Sequence, residues 1–235
     1  AYLPDVAMTL NNLGNLLQTN NEMSAAKTHY EEALKIYRQL ATKNPDAYLP
    51  YVAATLNNLG VLLKDNNEMS AAKTHYEEAL QIYRQLATKN PDAYNLEVAM
   101  TAINIGLLYE KLLKTIGDMS LKKAGLDLLQ DAEQRLTAYS KEIIRVQQYV
   151  SRIERLKQFF QEFDETSFQW QQQLDRVGTL KKEIATEKDP HQKVLRQTEL
   201  VNTIAKVQKT MPDNKEAKKT LANSYGSLAW YQLFD

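Results

Sequence analysis

The chain has 235 residues, 43% hydrophobic and 25% charged, a composition that supports a substantial buried core. Lys+Arg and Asp+Glu both number 29, so no net basic field draws the chain to nucleic acid or to a membrane surface. The absence of cysteine excludes disulfides, thiol catalysis and cysteine-ligated metals, and fits a reducing, cytoplasmic setting. Seven glycines and six prolines leave little room for a turn-rich β fold, and no signal peptide or run of about 18 apolar residues occurs.

Residues 1–46, AYLPDVAMTLNNLGNLLQTNNEMSAAKTHYEEALKIYRQLATKNPD, are written again over residues 47–92 with 40 of 46 positions identical. The six differing pairs are Asp5/Tyr51, Met8/Ala54, Asn15/Val61, Gln18/Lys64, Thr19/Asp65 and Lys35/Gln81. Such a period marks a solenoid, in which one unit cannot bury its apolar face alone and stacks on the next. Val6, Leu10, Leu13 and Leu17 recur at helical spacing, and Ala26, Tyr30, Ala33, Tyr37 and Leu40 repeat the pattern, so each unit is a pair of amphipathic helices. Asn20, Asn21 and Glu22 form a polar turn, Ser24 is placed to cap the second helix, and Asn44-Pro45 ends it.

Leu13-Gly14, Leu17, Ala26, Tyr30, Ala33 and Pro45, matched by Leu59-Gly60, Leu63, Ala72, Tyr76, Ala79 and Pro91, resemble the tetratricopeptide repeat. Units of 46 residues exceed the usual ~34, and their opening PDVAMTLNNLG is similar to the long-helix variant of kinesin light chains. The resemblance implies an all-α, right-handed α-solenoid of antiparallel helix hairpins, non-enzymatic, without cofactor or metal, acting as a protein-interaction scaffold.

A third unit, residues 93–137, keeps the register through Val98, Ala99, Met100, Thr101, Asn104 and Gly106. Its Gly106 stands 14 residues before Ser120, where the earlier glycines stand 10 before Ser24 and Ser70, an insertion of about one turn. Ser120 is expected to cap a helix whose core includes Leu121, Leu128, Ala132 and Leu136. Residues 138–190 read as a longer degenerate hairpin. Tyr139, Ile143, Val146, Val150, Ile153, Leu156, Phe160 and Phe163 form one apolar stripe, and Thr166 with Gln169 starts the return helix. Asp189-Pro190-His191-Gln192 opens a connecting helix over residues 191–212. Residues 213–235, capped by Asp213 and Glu216, resemble the first helix of a further repeat, and with the start at a repeat boundary this leads us to expect a piece of a longer protein.

Four of the six differences fall within an arc of about 100° on the first helix, opposite its apolar stripe. In the proteins this chain resembles, that face lines the concave groove that grips a partner peptide. The groove candidates are Met8, Asn11, Asn12, Asn15, Gln18 and Thr19 in the first unit and Ala54, Asn57, Asn58, Val61, Lys64 and Asp65 in the second. Met100, Ile103, Asn104, Leu107, Glu110 and Lys111 follow in the third. The asparagines suit bidentate contact with a peptide backbone, and the later apolar residues suit anchor side chains. A second candidate interface, for docking or homo-oligomerisation, is the aromatic group Phe160, Phe163, Phe168 and Trp170. Regulation of an enzyme lying outside these residues is the alternative role. No GxxxxGK[ST], GxGxxG, GxSxG or HExxH occurs, and His29 and His75, each followed by Tyr-Glu-Glu, read as parts of a solvated helix face.

Overall fold

In a computed structural model the described residues are 2–139 and 143–210. Among them the chain forms helices and no strand: α1 Leu3–Thr19, α2 Met23–Ala41, α3 Pro45–Asp65, α4 Met69–Lys89, α5 Pro91–Ile116, α6 Ser120–Leu136, α7 Ile144–Glu162, α8 Glu165–Thr186 and α9 Pro190–Thr210. The expectations at Asp213, Glu216 and the helix beyond them lie outside the described residues.

The chain divides into two units, Ala1–Glu162 and Phe163–Asp235. In the first, each helix from α1 to α7 packs on the next, and α7 also lies against α5. This is an all-α helical-repeat solenoid. In the second unit α8 packs on α9 through a core that includes Trp170, Leu174, Val177 and Leu180. The stretch 138–190 is thus shared between the units, with α7 in one and α8 in the other.

Each hairpin closes where a glycine meets a large side chain. A Cβ added at Gly14 would stand 2.6 Å from the Tyr30 ring, and one at Gly60 would meet Tyr76 at 2.6 Å. Only glycine leaves room for the fully buried rings, while Ala26 and Ala33, with Ala72 and Ala79, let the paired helices approach. In the third unit the side chains beneath Gly106 are Leu129 and Leu156, and Phe160 of α7 fills the space above Gly125. Leu129 lies 23 residues beyond Gly106, against 16 from Gly14 to Tyr30. Of that seven-residue offset, four residues are the insertion counted to Ser120 and three a slide of the contact along α6.

The turns use asparagine. Asn21 and Asn67 adopt φ of 64° and 66°, left-handed values that asparagine tolerates better than most residues, and Gly117 takes φ 66° at the end of the lengthened α5. Helix starts differ from expectation. Ser24 makes no cap; α2 begins at Met23 after Glu22, and no side chain caps it. Asn44 and Asn90 are caps instead, their Oδ1 atoms accepting from the Ala47 and Ala93 N–H at 3.3 Å, with proline next in the first turn. Asp164 rather than Thr166 caps α8, accepting from Ser167 N–H at 2.7 Å. Asp189 caps α9 as read, accepting from His191 and Gln192. At Ser120 the acceptor is Asp118, which takes both the Ser120 N–H and its hydroxyl.

The apolar stripe read over residues 139–163 is also redistributed. Tyr139 precedes α7 and donates its hydroxyl to the Pro91 and Asp92 carbonyls, while Ile143 is exposed. Val146, Ile153, Leu156 and Phe160 are buried, joined by Tyr149.

Candidate functional site

The first helices of the three hairpins, α1, α3 and α5, stand side by side, and their groove candidates lie along this row. Amides join them. Asn58 Nδ2 donates to Asn11 Oδ1 at 3.4 Å and to Asn15 Oδ1 at 3.3 Å, and Thr55 Oγ1 donates to Asn11 Oδ1 at 3.2 Å. One repeat on, Asn104 Nδ2 donates to Asn57 Oδ1 at 3.0 Å, and Lys111 Nζ donates to the Lys64 carbonyl at 3.3 Å. Of the asparagines expected to face a peptide backbone, Asn11, Asn15, Asn57, Asn58 and Asn104 are therefore engaged with one another, because successive first helices come close enough for short amides to meet.

Burial sorts the candidates further. Asn57, Ile103 and Glu110 are buried and offer almost no surface. Met8, Asn12, Asn15, Thr19, Asp65 and Lys111 are exposed; Asn11, Gln18, Ala54, Asn58, Val61, Lys64, Met100, Asn104 and Leu107 are half-buried. Lys64 pairs with Asp65 at 3.3 Å. Along the equivalent positions Asn15, Val61 and Leu107 the surface passes from amide to apolar.

Glu110 closes this row with an ion cluster. Arg155 of α7 donates to both carboxylate oxygens at 3.1 and 3.0 Å, and Lys114 donates to one at 2.7 Å. Burial alone would raise the Glu110 carboxyl, but the hydrogen bonds from Arg155 and Lys114 outweigh it and hold the group below the usual carboxylate range. Arg155 is a partner the repeat pattern could not reveal, since it lies 45 residues away on a helix without the repeat signature.

Tyr30 explains two of the sequence differences. Its hydroxyl donates to Asn15 Oδ1 at 2.7 Å, with Gln18 Oε1 at 3.0 Å, and burial pushes it up to about 12. Val61 and Lys64 replace those acceptors in the second unit, and the buried Tyr76 hydroxyl has no partner. Two of the four arc differences thus change the seam between paired helices as well as the outer face.

The second candidate interface is divided between the units. Phe160 is fully buried in the first, over Gly125. In the second, Phe163 and Phe168 are half-buried with ring centroids 5.9 Å apart, and Trp170 is buried.

His29 and His75 are half-buried rather than solvated, each with a buried Nδ1 that accepts no hydrogen bond. Burial lowers His75, with Glu78 opposing and Arg38 adding to the effect. Glu78 is held by Arg38 at 2.6 Å and Glu68 by Lys27 at 2.9 Å, ion pairs between neighbouring hairpins. Among the described residues no group of three His, Asp or Glu could hold a metal ion, and no helix is long and apolar enough to cross a membrane.

These features define a helical-repeat protein whose stacked hairpins present one continuous face of first helices. Residues 5–85 match the family model of the tetratricopeptide repeat, a repeat that generally mediates protein–protein interactions. The match covers the first two hairpins, where the glycine, alanine and tyrosine positions are intact. No curated protein sequence matches the chain.

Proposed function

We propose that the first unit is a non-enzymatic scaffold that holds a peptide segment of a partner protein along the face of α1, α3 and α5. One observation carries this reading: hydrogen bonds between asparagine side chains join the three first helices into a single surface with a chemical gradient, amide-rich at Asn12 and Asn15 and apolar at Val61, Met100 and Leu107. An extended or helical segment with one or two apolar anchors matches that gradient. The 46-residue unit supports the long-helix variant of the repeat, and the absence of cysteine supports a cytoplasmic setting.

The test is a peptide-display selection on the 235-residue chain, with each selected peptide remeasured on a Val61→Asp/Leu107→Asp variant. Both side chains are half-buried, so helicity and melting temperature report whether the variant folds. Loss of binding with an intact melt supports the groove. Retained binding moves the site elsewhere.

A further inference from the structure

At one edge of the first unit, α1, α2 and α3 surround a cavity of about 310 Å³, within the size range of small-ligand sites. Pro4, Asp5 and Met8 of α1, Tyr37 of α2, and Tyr48 and Tyr51 of α3 line it. The Tyr37 and Tyr51 rings are stacked, with centroids 5.2 Å apart and planes at 15°. Tyr48 is inclined to Tyr51 at 43° with centroids 6.4 Å apart, which opens a wedge of two ring faces. Among the described residues the Asp5 carboxylate makes no ion pair, and no lysine or arginine stands over these rings. Aromatic faces and a carboxylate lining one cavity attract an organic cation.

The chain contains its own comparison 46 residues further on. Tyr83, Tyr94 and Glu97 occupy the positions of Tyr37, Tyr48 and Tyr51. The negative charge there comes from Glu97, which acts on Tyr83. Burial raises the Glu97 carboxyl, and Arg145 of α7 opposes that rise; the same arginine also acts on Tyr149. The carboxylate of the second junction therefore feels the charge of a guanidinium from the chain itself. The first has the rings and the carboxylate but no such partner.

From this pair of junctions we infer that the cavity formed by Tyr37, Tyr48, Tyr51 and Asp5 is a binding site for the arginine side chain of a partner peptide. A planar guanidinium stacks on tyrosine faces while donating hydrogen bonds to a carboxylate at its edge, which a lysine ammonium matches less well. The site does not depend on the groove reading, because its aromatic residues lie outside the set that tests that reading.

The experiment is a titration of the 235-residue chain with acetyl-Gly-Arg-Gly-amide, read by the ring resonances of labelled tyrosine. Parallel titrations use the citrulline analogue, the lysine analogue and tetramethylammonium. Saturable shifts with the arginine peptide, at least fivefold weaker with citrulline and with lysine, are expected. Tyr51→Ala and Asp5→Asn should each weaken arginine binding about fivefold or more; both residues are exposed, so neither change is needed for folding. The Val61→Asp/Leu107→Asp variant should bind the arginine peptide as the wild type does, which separates failure here from failure of the groove. Citrulline binding as tightly as arginine, or no loss in Asp5→Asn, would overturn the proposal. Equal or tighter binding of the lysine peptide or tetramethylammonium would overturn the assignment to guanidinium.

Discussion

Leu16 and Leu62 stand at the same position of two repeats that agree at 40 of 46 residues, yet Leu16 is 57% exposed and Leu62 is fully buried. Val6 and Val52 differ the same way, at 43% and 2%. The cause is position in the stack. α3 is packed between α2 and α4, whereas α1 packs mainly on α2 and only lightly on α3, so the face that α2 covers on α3 stays open on α1. In a solenoid the apolar stripe of one repeat becomes core only when the preceding repeat lies against it. An apolar pattern therefore states what a helix can bury, and the neighbour decides what it does bury.

That contrast has a large measurable consequence. Leu62→Ala should cost about 2–5 kcal/mol, the transfer term plus the cavity left in a close-packed seam. Leu16→Ala, at an exposed site, should change stability by no more than about 0.5 kcal/mol. Urea unfolding of both variants reads the difference, and equal effects would mean that the α1 face is covered in solution.

The third repeat sharpens the comparison through its ion cluster. Gln18, Lys64 and Glu110 are equivalent positions, and only Glu110 is buried and held by a partner from α7. Its folded-state carboxyl lies below the ordinary glutamate value, so it contributes stability above that value and loses it as pH falls through the lower, folded one. Glu110→Gln should cost about 1–2 kcal/mol at neutral pH, the lower part of the range for hydrogen bonds to a charged group, since Arg155 is half exposed and water screens it. Melting temperatures of the two proteins should converge as the pH falls below the usual carboxylate range. A gap independent of pH would assign the loss to packing.

How much of this was legible depended on the reach of each interaction. Gly14 with Tyr30 is a contact inside one hairpin, and Ala26 and Ala33 share one face of α2; both are set by helical spacing and stand out because the chain writes them twice. Contacts between hairpins were harder. Asn11 with Asn58 and Glu110 with Arg155 join residues 47 and 45 apart, and no local pattern distinguishes an amide facing a ligand from one facing the next helix. Ser24 does not cap α2, since that helix already begins at Met23 and no side chain reaches back to it, and Asn44-Pro45, whose pattern signals a stop, also starts the following helix. The Tyr37, Tyr48 and Tyr51 cavity draws on three helices, two from one repeat and one from the next, and only the folded chain brings these rings together.

The smallest expected effect is the one that isolates a single hydrogen bond. Tyr30 and Tyr76 are fully buried in equivalent seams, under Gly14 and Gly60, so their rings do the same packing. Their hydroxyls do not. Tyr30 donates to Asn15 within 2.7 Å, while Tyr76, facing Val61 and Lys64 at those positions, has lost both acceptors and keeps a buried hydroxyl without a partner. Burial raises Tyr76 first, and the Asp65 charge adds to it, so ionisation offers no escape near neutral pH. A hydrogen bond contributes about 1 kcal/mol net, and an unmatched buried donor costs about as much or more. Tyr30→Phe should therefore destabilise by about 1 kcal/mol, and Tyr76→Phe should be neutral or stabilising by a similar amount. Val61→Asn together with Lys64→Gln rebuilds the first seam in the second, and in that background Tyr76→Phe should become destabilising. If the sign fails to change there, the hydroxyl is satisfied by water in both repeats, and the two exchanged acceptors answer to the outer face alone.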